Sequence, residues 1–269
     1  MWARSTWLSR VRLLERFRTF CHRRRWPLNN DAAAMFVVST GVRPSAQLAY
    51  VKSLRAMLKP RTRLDLLAAG LVGSGANIPT RQAQAMPLAT LRAYLRSVDN
   101  PRTAAALRLA WKTASRWSDV SRLTRADFLR VESRRLVIDF GTKTKTTRND
   151  PYRASRFVVV TGRWTRQIAQ AVRALPPKTP LSPLSTSALT RELHRHPATR
   201  LYSAHSLKRG ALQRLLPAVA RGKIRFREVV RLAKHRDRRN DPQASTLRYL
   251  GRSTQLAQAI GANRAVKML

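Results

Sequence analysis

Along the first part of the chain apolar residues recur three and four apart, and polar breaks divide them into helical segments. A first helix is expected over about residues 5–22, with Trp7, Val11, Leu14 and Phe17 on one face. The run Pro27-Leu28-Asn29-Asn30 interrupts it, and a second helix starts near Asp31, read as its N-cap, and covers Ala32 to Val38. Gly41 to Pro44 breaks that helix. Ser45 then caps a third, in which Leu48, Val51, Leu54 and Leu58 keep helical spacing. A fourth apolar stretch, Leu64 to Leu71, runs into glycines, and residues 73–86 with Pro79 read as an interdomain linker.

The pattern changes after residue 86. Leu88 to Val98 and Pro101 to Arg116 are helical in period. Arg135 to Phe140 and Arg156 to Thr161 are β-branched and aromatic, and pair as a hairpin across a long cationic connection. Helices return over Trp164 to Leu175, Ser187 to His194, His205 to Leu216 and Phe226 to His235. Helices, a small sheet, then helices define a mainly α chain with a small antiparallel β-sheet, an α+β class without alternating βαβ units. Two domains are expected, residues 1–78 and 79–269.

Charge narrows the partners. The 269 residues hold 54 Lys and Arg against 13 Asp and Glu, a formal net charge of +41. It is spread, with net +11 over residues 1–80 and +30 over residues 81–269, so both parts are built to lie against a polyanion. Six Trp and 43% apolar residues indicate folded domains rather than a basic tail. The longest uncharged run, Leu66 to Thr80, contains three glycines and a proline and is too short to span a bilayer. The single Cys21 excludes an internal disulfide framework and a multi-cysteine zinc site, which points to an intracellular protein. The Arg-rich start to Trp26 has the composition of a mitochondrial presequence, but an amphipathic first helix is the preferred reading.

Four stretches carry candidate chemistry: Ala114-Ser115-Arg116-Trp117-Ser118-Asp119-Val120, with Leu123 and Asp127 after it; Gly141-Thr142-Lys143-Thr144-Lys145-Thr146-Thr147-Arg148; Ala204-His205-Ser206-Leu207-Lys208-Arg209-Gly210; and Leu232-Ala233-Lys234-His235, leading to Thr246-Leu247-Arg248-Tyr249-Leu250. In this order around a hairpin they resemble a tyrosine recombinase of the phage-integrase type. The His-Ser-Leu-Lys-Arg-Gly-Ala wording is closest to recombinases of eukaryotic mobile elements. The resemblance covers essentially the whole chain. It implies a helical core-binding, DNA-clamping domain over residues 1–78, and over residues 79–269 a catalytic domain with a β-hairpin and a C-terminal tail helix.

It also implies roles. Tyr249 is the nucleophile that forms a 3′-phosphotyrosyl link. Arg116 is a cationic fork for the charge that builds on the phosphate oxygens, and Asp119, one turn on, orients its neighbours. Lys145, or alternatively Lys143, protonates the leaving 5′-oxygen. His235 bonds the scissile phosphate, and His205, on one helix face with Lys208, belongs to the catalytic set. The family pattern is His-x-x-Arg, whereas this chain has His205-x-x-Lys208, and a lysine lacks the bidentate fork. Three readings stay open: Lys208 substitutes, which is preferred, Arg209 swings in, or catalysis is weakened. Tyr249 follows His235 by 14 residues, a longer gap than in most relatives, explained by an inserted loop over Arg236 to Ala244.

Each residue also has a plainer reading. Arg116 is then a solvated arginine, His205 a core or surface histidine, the hairpin lysines backbone-phosphate contacts, and Tyr249 a packed ring. Arg43, Lys52, Arg55 and Arg148, with the stretch Arg23 to Arg25, are the expected contacts to double-stranded DNA. The tail from Arg252 places Leu256, Ala259, Ala262 and Val266 at helical spacing; relatives dock such a tail on a neighbouring subunit, so a homo-tetramer on DNA is expected, with packing on its own domain the alternative. No metal is expected, because the carboxylates do not cluster, no ATP, because no phosphate-cradling Gly-x-x-x-x-Gly-Lys occurs, and no other cofactor or membrane partner. The function classes are a DNA recombinase or integrase, a DNA-binding relic of the same fold, and a type IB topoisomerase. The place is with DNA, in the nucleus if the host is eukaryotic and in the cytoplasm otherwise.

Overall fold

The computed structural model describes residues 4–58, 62–76, 82–140 and 157–233. The chain divides into two compact units, Met1–Arg81 and Gln82–Leu269.

In the first unit, α1 (Arg4–Arg24), α2 (Asn30–Ser39), α3 (Pro44–Leu54) and α4 (Thr62–Ala76) enclose one core of Leu13, Phe17, Cys21, Ala33, Phe36, Val37, Val51, Leu54 and Leu64. The buried stripe of α1 is Leu13, Phe17 and Cys21. Trp7 and Leu14, expected on that face, are 53% and 38% exposed. The spacing of Trp7, Val11 and Leu14 follows the helix, but the ring of Phe36 selects the neighbouring stripe by taking Phe17 at 5.5 Å and Phe20 at 5.4 Å between centroids. The cap of α2 is Asn29, not Asp31: its side chain accepts the Ala32 amide at 2.9 Å. Asp31 sits in the first turn and pairs with Arg63 of α4 at 3.0 Å. Helix α3 starts at Pro44, whose fixed φ suits the first helical position, so Ser45 is not its cap.

The second unit is built around α6 (Pro101–Lys112), which buries eight of its residues from Thr103 to Trp111. Helix α5 (Leu88–Arg96) precedes it, and the single-turn α7 (Trp117–Val120) comes next. A three-stranded antiparallel sheet then runs in the order β1 (Phe128–Val131), β2 (Arg135–Asp139), β3 (Phe157–Thr161). The expected hairpin is β2 with β3, in the register Leu136 opposite Val160; β1 adds a strand that four residues of pattern do not announce. Helix α8 (Thr165–Arg173) lies against β1, β2 and α6. Then come α9 (Thr186–Arg195), α10 (Ala204–Ala220) and α11 (Phe226–Ala233), with α10 packed on α6 and α11 on α10. The residues expected to be linker divide: α4 runs on to Ala76, and Gln82–Met86 is laid along α10. No helix among the described residues is long and apolar enough to cross a membrane.

Candidate functional site

Helix α6 ends in a tight turn that redirects the chain toward Arg116. Ala114 takes a left-handed backbone (φ 45°), and the Ser115 amide reaches back to the Ala110 carbonyl at 3.1 Å, closing the last turn. Thr113 secures it: its hydroxyl donates to the Leu109 carbonyl at 2.8 Å and lies in hydrogen-bond contact with the Ser115 hydroxyl at 2.7 Å. The chain then emerges at Arg116, the exposed N-cap of α7, whose carbonyl accepts the amides of Asp119 at 3.0 Å and Val120 at 3.3 Å. Trp117 locks the turn from beneath: it is 2% exposed, and its indole N–H donates to the Leu184 carbonyl at 2.8 Å. The Arg116 guanidinium therefore stands in solvent on a rigid base.

Asp119 is buried, 8% exposed, and accepts from the Ser118 hydroxyl at 3.4 Å, with the Arg122 guanidinium 3.9 Å away. Asp127, from the same stretch, caps a turn instead: its carboxylate accepts the Thr124 amide at 2.7 Å and the Thr124 hydroxyl at 2.9 Å.

Helix α10 begins with a reciprocal cap of Ser203 and Ser206. His205 sits in its first turn and is exposed, whereas Lys208, one turn on, is 3% exposed. The two share a helical spacing but not an environment. The next residue, Arg209, donates through Nη1 to the Gln82 side-chain oxygen.

Helices α7 and α10 pack together, so Arg116, Asp119, His205 and Lys208 are carried by two adjoining helices of one unit. Arg43, Lys52 and Arg55 belong to the first unit. Arg43 is the N-cap of α3 and exposed, Lys52 is exposed in its last turn, and Arg55 is held by Asp65 at 2.5 Å. Arg24, in the cationic stretch at the end of α1, stacks over Phe20 at 4.7 Å and Trp26 at 5.4 Å. Lys143, Lys145, Arg148, His235, Tyr249 and the tail from Arg252 lie outside the described residues. Among the described residues no three His, Cys, Asp or Glu side chains converge as metal ligands. Gln82–Met86, expected to be part of a linker, is instead held against α10; the signal was Gly210 in a helix interior, where a glycine marks a close approach.

No protein-family model matches the chain, and no curated protein matches it. Among solved structures its fold is similar to that of transposon integrases. These are structures of the Tn1549 transposon integrase, determined in complex with transposon right end DNA in one case (14% identity, 98% of this chain and 94% of that chain covered, TM-score 0.63). Another, in complex with a circular intermediate DNA, gives 13% identity over the same shares and the same TM-score, 0.63. A third, also with circular intermediate DNA, gives 13% identity, 93% and 90% coverage and a TM-score of 0.58. The likeness is one of fold.

Proposed function

We propose that the protein binds double-stranded DNA and breaks and rejoins it as a metal-independent tyrosine recombinase, with Tyr249 as nucleophile. The Tyr249 oxygen attacks the phosphorus in line, the bond to the 5′-oxygen breaks, and Lys145 gives that oxygen its proton. The 3′-phosphotyrosyl bond keeps the energy of the broken linkage for rejoining. Arg116, His205, Lys208 and His235 meet the charge on the phosphate, where preorganised donors stabilise the transition state most. Asp119 orients its neighbours from below.

The observation that carries the reading is Arg116, exposed on a rigid, strained turn, at the start of a helix packed against the one whose first turn carries His205. A fold similar to DNA-bound integrases and a net charge of +41 support it. By the same reading the protein acts with its DNA as a homo-tetramer joined through the tail. Kinship with eukaryotic mobile elements rests on the His205–Ala211 wording alone.

One observation favours a second reading, a DNA-binding relic of the fold: Lys208, in the place of the family arginine, is buried. A nicked suicide duplex separates the two. The wild-type chain should accumulate a covalent DNA adduct and Tyr249→Phe none; an adduct undiminished in Tyr249→Phe would remove the assignment, and tight binding without any adduct would favour the relic.

A further inference from the structure

We propose that Arg209 is a positioning residue, fastening the segment Gln82–Met86 to the helix that bears His205 and Lys208, and is not one of the cations that meet the phosphate. The proposal rests on the recombinase reading for its catalytic consequence.

Three contacts tie this segment down. The Met86 amide donates to the Ser206 carbonyl at 3.1 Å. The Met86 carbonyl lies against Gly210, where a Cβ would stand 2.0 Å from the carbonyl oxygen and 2.9 Å from the Trp111 ring. Arg209 donates to the side chain of Gln82. Ser206, Arg209 and Gly210 are spaced three and four apart, so the strap runs along one face of α10. Met86 is 1% exposed and anchors the strap's far end.

Arg209 is the one charged side chain in this set. Its Nε is buried without a hydrogen-bond partner, while Nη1 is committed to Gln82. A buried donor left unpaired is costly, so the guanidinium is held by the strap rather than by its own best solvation. An arginine free to swing onto a phosphate would keep its fork in water.

The strap is bonded to the turn of α10 that carries His205. Where the strap is held therefore sets how that turn presents its imidazole. A displacement of about 1 Å at a catalytic group costs up to ~10²-fold in rate.

The test uses the full chain with Arg209→Ala, Gln82→Ala and the double substitution. Two quantities are read: hydrogen exchange at the Met86 amide, and the rate of adduct formation on a nicked suicide duplex at saturating DNA. Each single substitution should speed Met86 exchange roughly tenfold, the loss of about one hydrogen bond, and slow adduct formation by the same factor in both. The double should be no slower than either single, because both remove one interaction. If Arg209→Ala stops the adduct while Gln82→Ala leaves it at the wild-type rate, Arg209 touches the phosphate and the proposal is wrong. Unchanged exchange in both singles also overturns it. A wild-type chain that forms no adduct defeats the recombinase reading instead, and the exchange data still decide whether the strap is fastened by Arg209.

Discussion

Ala114 takes the backbone strain beneath the candidate site. An L-residue in the left-handed region costs roughly 1–2 kcal/mol, and here the cost falls two positions before Arg116, where the backbone must leave α6 and start α7 at once. Strain of this kind persists only where surrounding contacts over-determine it, and Thr113, Ser115 and the buried Trp117 supply them. The result is an arginine whose main chain is held in place by the turn while its side chain stays exposed. Arg116→Lys should keep the charge and lose the fork. The rate of adduct formation should fall by about 10²–10³, the usual loss for one oxyanion donor, with DNA affinity little changed. Equal rates for the two proteins would mean that the fork of Arg116 faces no developing charge.

At the scale of elements, the first unit offers a titration that involves no DNA. Cys21 lies in the α1 stripe against the core, and burial pushes its thiol above the usual range. A group with a raised folded value holds its proton longer when folded. It contributes its stability in full below the unfolded thiol value of about 8.5 and loses it as pH climbs through the folded one. Urea unfolding monitored from pH 7 to 10 should show wild type falling faster than Cys21→Ala. Parallel curves would show that the thiol is not desolvated.

The same helices show what was legible in the pattern. Four of them were visible because each pairs a periodic apolar stripe with a break. The caps were not, because Asn29 and Asp31 are equally good cap residues by type and only the Ala32 amide chooses between them. The stripe of α1 agreed only at Phe17, because a helix with eight apolar residues has two plausible faces, and Phe36 decides. In the second unit β2 and β3 were readable from β-branched runs, whereas β1 is four residues with only Phe128 buried. The strap is five residues in which only Met86 is buried, and its close approach to Gly210, far along the chain, is not local information. Arg116 and His205 were visible by type and order, but the burial of Lys208 depends on how α10 packs, which no local pattern carries.

For the whole molecule the controlling quantity is the net charge of +41. Binding a polyanion releases counterions, so affinity for duplex DNA should fall by roughly 10³–10⁵ between 50 and 200 mM salt if six to ten phosphates are met. Individual cations differ in what they have left to give. Lys52 is exposed at the end of α3 and holds no ion pair among the described residues, whereas Arg55, one turn on, is held by Asp65 at 2.5 Å. Both were expected to touch phosphates, yet Arg55 must first leave a carboxylate that partly cancels its charge. Lys52→Ala should therefore lower the slope of log affinity against log salt by about one, and Arg55→Ala by less, because its guanidinium is already partly neutralised by Asp65. Fluorescence anisotropy with a labelled duplex over a salt series measures both slopes. An unaltered slope in Lys52→Ala would take the α3 face off the DNA, and with it the expectation that the first unit clamps the duplex.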